Sequence, residues 1–279
     1  MMKYFCIYLL TCLIAANVTA QTKDSLPAER SDTAFQQVLH IPGNFSRMEV
    51  DALGHIYLLE QGLLKKYTAA GDSLSVYNDV RRYGNPTIMD VSNPLKTLLF
   101  FKNFTTVVVL DRMLSQRATL NLRKMQIFAA RSACISYDNE IWVLDEQDFK
   151  LKKINENGQL LLESNDLRLI TDHAVKADQI TDHNGFVYLY DKSFGFTILD
   201  RYGAFKGTLD FPGMHSLSFT ANFVYGFKNH EMLRLDLNLK ISYPVALTQV
   251  FAQASSVRVV NPYIYLLTES GVSVYRLPE

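Results

Sequence analysis

A stretch that returns about every forty residues frames this 279-residue chain. Its first copy is Asp51 to Thr68, DALGHIYLLEQGLLKKYT. Asp51 and Gly54 punctuate a tight turn, because glycine tolerates positive φ and aspartate bonds its own backbone. Ile56, Tyr57, Leu58 and Leu59 follow as a continuous apolar run, too short for a helix and suited to a strand covered on both faces. Glu60, Gln61 and Gly62 turn the chain, and Leu63 to Tyr67 supplies a second strand. After Ala70, Gly71 and Asp72 the alternation of Ser73 to Val76 predicts a half-exposed third strand. The unit is a β-meander.

The same punctuation recurs as SNPLKTLLFFKNFTTVVVLD from Ser92, YDNEIWVLDEQDFKLKKINENG from Tyr137 and DHNGFVYLYDKSFGFTILDRYG from Asp182. Looser copies begin at Thr220 and Asn261. The first apolar runs start at Ile56, Leu98, Ile141, Val187, Val224 and Ile264, at spacings of 42, 43, 46, 37 and 40. The strands that follow end at Tyr67, Leu110, Ile154, Leu199, Leu235 and Tyr275, at spacings of 43, 44, 45, 36 and 40. Two ladders that lengthen and shorten together, with several strands per period, predict a β-propeller.

The Asp51 to Gly54 turn, the Ile56 to Leu59 run and the closing Lys65, Lys66 and Tyr67 resemble the repeat of six-bladed propellers of the NHL-like and TolB-like kind. The resemblance covers residues 35 to 279 as a single domain. It implies an all-β fold with about four antiparallel strands per blade. Blades two, five and six lack glycine in their first turns, and blade five is short. Such propellers include binding modules, scaffolds and a minority of enzymes, so the resemblance implies architecture rather than activity.

Residues 1 to 20 carry Lys3, an apolar core from Tyr4 to Ala16 and a small-residue end, the pattern of a cleavable secretory signal. That core is too short for a stable transmembrane helix, so none is expected in the mature chain. Residues 21 to 34, polar and containing Pro27, read as a flexible leader. Lys3 leaves with the signal, so 27 basic and 28 acidic side chains remain, a formal charge of −1. This balance makes no electrostatic case for nucleic acid. Cys6 and Cys12 leave as well, and Cys134 alone cannot form an intramolecular disulfide. An exported protein without disulfides fits a bacterial periplasm, outer-membrane association or cell surface.

Blade six ends at the C-terminus with no residues for an outer strand, whereas blades one to four each have one. Phe35 to Ile41, FQQVLHI, is strand-like and is expected to fill that place, clasping the ring.

Inner strands are expected near Arg47 to Glu49, Asn85 to Asp90, Arg131 to Ser136, Lys176 to Thr181, His215 to Ser218 and Ser256 to Arg258. Glu49, Asp90 and Asp178 are candidate ligands for a calcium or zinc ion in the central channel. Arg131, Lys176 and Arg258 come from equivalent segments, and mixed charges lining a hydrated channel account for the same set. The histidines are scattered, the serines lack a nucleophile-elbow context, and Cys134 lies in an apolar inner strand where a buried, inert thiol is expected. Two segments stand out as binding candidates. Arg81, Arg82 and Tyr83 lie between blades, and Asp148, Phe149 and Lys150 lie at a hairpin tip, where propellers carry recognition loops. Trp142 reads as core.

Two functional expectations follow. One is a noncatalytic protein-binding or scaffold propeller of the cell envelope, an accessory subunit of an outer-membrane assembly with no cofactor. The other is a metal-dependent hydrolase or lactonase-like propeller with its cation in the channel.

Overall fold

The computed structural model describes residues 35–277 apart from positions 79 and 248, so the expected signal and leader lie outside the described residues. Six four-stranded antiparallel sheets form the blades of a propeller. Blade one comprises β2 (Arg47–Val50), β3 (Ile56–Glu60), β4 (Leu63–Tyr67) and β5 (Ser73–Tyr77), counted from the channel outward. Blade two follows with β6 (Ile88–Asn93), β7 (Lys96–Phe101), β8 (Thr106–Asp111) and β9 (Gln116–Asn121). Blades three and four are β10 (Ala130–Ile135) to β13 (Leu160–Glu163) and β14 (Gln179–His183) to β17 (Phe205–Leu209). Blade five runs from β18 (His215–Phe219) to β21 (Ser242–Val245). In blade six β22 (Ser256–Val260), β23 (Tyr263–Thr268) and β24 (Gly271–Arg276) are completed by β1 (Gln36–Pro42).

The clasp is therefore real. β1 pairs antiparallel with β24 from Gln36 opposite Arg276 to Pro42 opposite Gly271, one residue later than the sequence suggests. Tyr275 reinforces it by donating its hydroxyl to Gln37 at 3.0 Å.

The two sequence ladders turn out to be cross-strand partners. Ile56 faces Tyr67, Ile141 faces Ile154, Val187 faces Leu199, Val224 faces Leu235 and Ile264 faces Tyr275. Blade two departs by one residue, since Leu110 faces Thr97 and not Leu98. Its strand β7 is buried along its whole length, so the LLFF run shows no alternation from which register can be read. The residue after the second ladder also repeats. Thr68, Asp111, Asn155, Asp200 and Asp236 each close the next hairpin by accepting two backbone N–H bonds with their side-chain oxygens. This side-chain mimicry of a turn explains why only short oxygen-bearing residues occupy the position. Blade five, despite its shortness, has an outer strand in β21, whose Pro244 is tolerated because the strand is an edge.

The core is a set of apolar clusters between and within blades rather than one central mass. One cluster joins Leu98, Phe100, Val107 and Val109 to Ala133, Ile135, Ile141 and Val143 across blades two and three. Trp142 is fully buried in the next, as expected.

Candidate functional site

Antiparallel alternation puts all inter-blade connections and all turns between second and third strands on one face. This connector face carries both sequence-predicted segments. Arg81, Arg82 and Tyr83 lie on the single helical turn α1 (Val80–Tyr83) between blades one and two. Tyr83 packs on Phe101 (5.0 Å between centroids) and Phe104 (5.6 Å), with the Arg82 guanidinium 5.4 Å from its ring. Asp148, Phe149 and Lys150 occupy the tip between β11 (Ile141–Asp145) and β12 (Lys150–Ile154). Phe149 lies under the Arg168 guanidinium at 4.0 Å, and its carbonyl accepts from Leu167 N–H at 2.8 Å. Lys150 pairs with Glu163 at 2.5 Å, while Asp148 shares Lys152 with the buried Asp145.

On the same face the structure adds side chains that sequence reading passed over. Phe104, Phe128, Leu169 and Phe194 are 49, 52, 81 and 53 % exposed, and all sit in connector-face loops of blades two to four. With Tyr83 and Phe149 they form an arc of large apolar groups. Phe194 is held by His173, which stacks on it with centroids 3.7 Å apart and planes 19° apart. The available signal was an apolar residue within a turn segment, which strand periodicity cannot rank.

The channel is a cavity of about 930 Å3 lined by inner strands of five blades. The three carboxylates singled out as cation ligands all line it, each with its own partner. Glu49 takes a bidentate bond from Arg258, both contacts at 2.6 Å, which joins blade one to blade six. Asp178 accepts from Arg131 at 2.6 Å, and Arg131 also reaches Glu146 at 2.7 Å. Asp90 accepts from the Ser92 N–H at 2.8 Å and, across the blade boundary, from the Ile135 N–H at 2.6 Å. Among the described residues no group of three or more His, Cys, Asp and Glu is arranged to hold a metal ion.

The electrostatics follow from this partnering. Burial raises the Asp90 carboxyl above the ordinary carboxylate range, and its amide bonds only partly offset that. Burial also opposes charge on Arg131 and Arg258, but the carboxylates they bind outweigh it and hold both above the usual guanidinium value. Arg47 is lowered, by burial first and by Arg258 as well, against the pull of Glu49. Burial pushes the Cys134 thiol well up, so it is held as an unreactive thiol.

No family model matches the chain, and no curated protein matches it. Solved structures do. Virginiamycin B lyase from Staphylococcus aureus is 14% identical with a TM-score of 0.55, covering 82% of this chain and 78% of that one. The Pan2 WD40 domain of Neurospora crassa is 14% identical at 0.57, covering 83% and 75%. BamB from Moraxella catarrhalis is 10% identical at 0.50, covering 88% and 100%. At such identities the likeness establishes a β-propeller and leaves activity open. No helix among the described residues is long and apolar enough to cross a membrane.

Proposed function

We propose that this chain is a noncatalytic binding propeller, exported to the bacterial envelope, that docks a protein partner through the connector face as an accessory subunit of an outer-membrane assembly. The observation that carries this reading is the aromatic arc with its stacked arginines, because exposed Phe and Arg beside a half-buried Tyr on a rigid frame are side chains that anchor protein interfaces. The envelope location is supported by the signal-like residues 1 to 20. Affinity purification of a C-terminally tagged protein from gently solubilised envelopes tests it. A stoichiometric partner that is lost from a Phe104→Asp, Phe128→Asp variant is expected; recovery of the propeller alone would overturn the proposal.

A second reading, a metal-dependent hydrolase- or lactonase-like enzyme with calcium or zinc in the channel near Glu49, Asp90 and Asp178, is favoured by one observation. Glu49, Asp90 and Asp178 all line one cavity large enough for a substrate. Metal analysis after mild purification separates the readings, since a stoichiometric ion released by Glu49→Gln would favour the enzyme.

A further inference from the structure

The connector-face mouth of the channel presents more cationic donors than its own carboxylates use. Beside the channel lies a chamber of about 360 Å3, and the two spaces meet at Asp178. Together they are lined by Arg47, Arg131, Lys176, Lys192 and Arg258. Every nearby carboxylate is already engaged. Glu49 is held by Arg258, Glu146 and Asp178 by Arg131, and the buried Asp191 by the backbone N–H groups of Lys176 (3.0 Å) and Ser193 (2.8 Å). The Lys176 and Lys192 ammonium groups and the Arg47 guanidinium have no ion-pair partner among the described residues; Arg47 reaches only the Thr87 carbonyl, at 2.5 Å. Lys192 and Arg258, from different blades, both act on His215 at the same mouth, where burial and these two cations keep the imidazole below its ordinary pKa.

We propose that this mouth is a carboxylate-binding subsite that receives an acidic side chain of the polypeptide docked on the aromatic arc, an inference that rests on that docking reading. Three cations at this mouth lack an ion-pair partner among the described residues, and the complement to a cationic donor is an anion. The argument for a polypeptide source is continuity: Phe194 belongs both to the arc and to the chamber wall. A chain crossing the arc at blade four therefore reaches the mouth.

The test is an anisotropy titration of fluorescein-labelled hexaglutamate on the intact protein, with labelled hexalysine and unlabelled citrate as comparisons. Hexaglutamate is expected to bind and hexalysine not to. Replacing both lysines, Lys176→Ala with Lys192→Ala, should weaken hexaglutamate about tenfold or more, as should raising salt from about 50 to about 500 mM. Circular dichroism confirms that the variant folds, both positions being exposed. No hexaglutamate binding, or binding that the double variant leaves unchanged, would overturn the subsite. Citrate binding that needs both lysines, without hexaglutamate binding, would overturn the polypeptide source in favour of a free organic acid. A partner retained in full by the lysine variant would remove the subsite and leave the docking reading standing. Lysine-dependent hexaglutamate binding without any recoverable partner would overturn the docking reading and support the subsite alone.

Discussion

The boundaries on either side of blade four supplement their apolar clusters in different ways. Toward blade three the inner strands β10 and β14 lie close and are cross-bonded by polar groups: Ser132 donates to the Ala177 carbonyl at 2.7 Å, Arg131 binds Asp178, and Trp142 donates its indole N–H to Asp182 at 2.9 Å. Toward blade five the inner strands β14 and β18 form the loosest junction of the ring, and aromatic side chains fill the space. Phe196 is 2% exposed and contacts Tyr188, Tyr190, Phe211 and Phe219. Tyr190 donates to the Phe211 and Met214 carbonyls and accepts from Met214 N–H, and burial pushes its hydroxyl up to about 12. Both boundaries bury an apolar cluster; the first adds directional bonds between its inner strands, and the second fills the wider gap with aromatic rings. A ring need not be uniform to close; each boundary has only to bury its two blade faces.

Removing residues 35 to 42, and with them β1, gives the largest expected effect. Blade six loses its outer strand and the ring its closure, so thermal stability should collapse, with amide exchange in β18 rising before that in β10 or β14. Uniform acceleration across the inner strands would break the distinction between boundaries. Phe196→Ala comes next, at about 3–5 kcal/mol for a buried aromatic, measured by denaturant unfolding. A cost below about 1 kcal/mol would show that the aromatic boundary is not a packed core. Ser132→Ala should cost only about 1 kcal/mol, the net loss of one buried hydrogen bond, and a cost matching that of Phe196→Ala would erase the difference between the boundaries.

The pH response sharpens the comparison least in size but most in kind. Asp90 bridges blades two and three, and its carboxyl is raised in the folded state. The folded protein therefore holds a proton that the unfolded chain has already released. The associated stability is present below the ordinary carboxylate range and is lost as pH rises through the raised value. Asp90→Asn cannot ionise, so the melting temperature of the wild type should fall relative to the variant across that window. A difference that stays constant with pH would mean the carboxylate is charged in the channel. Phe196→Ala removes no titratable group, so it should shift melting equally at each pH.

Residues that repeat were legible from the chain alone. The ladders from Ile56 and Tyr67 marked strand partners, and the five hairpin residues from Thr68 to Asp236 follow the second ladder by one position. Phe35 to Ile41 was legible as a clasp because the last blade lacked an outer strand. Of the site, Arg82, Tyr83 and Phe149 were found through residue type and loop position, and Glu49, Asp90 and Asp178 through their place on inner strands. Phe104, Phe128 and Phe194 were not, because an isolated aromatic in a turn carries no periodicity. That Arg258 neutralises Glu49 was invisible as well, for the two are 209 residues apart.

The sequence by itself determined the number of blades and their order, since each depends on hydrogen bonds and apolar alternation within about fifty residues, and it marked the closing strand through the missing outer strand of blade six. The tertiary structure alone decided which carboxylates are spent on arginines, which boundary is aromatic, and that two lysines and an arginine are left unpaired at one mouth. Those outcomes depend on the radius of the closed ring, which is set by how all six blades pack at once and is written in no single repeat.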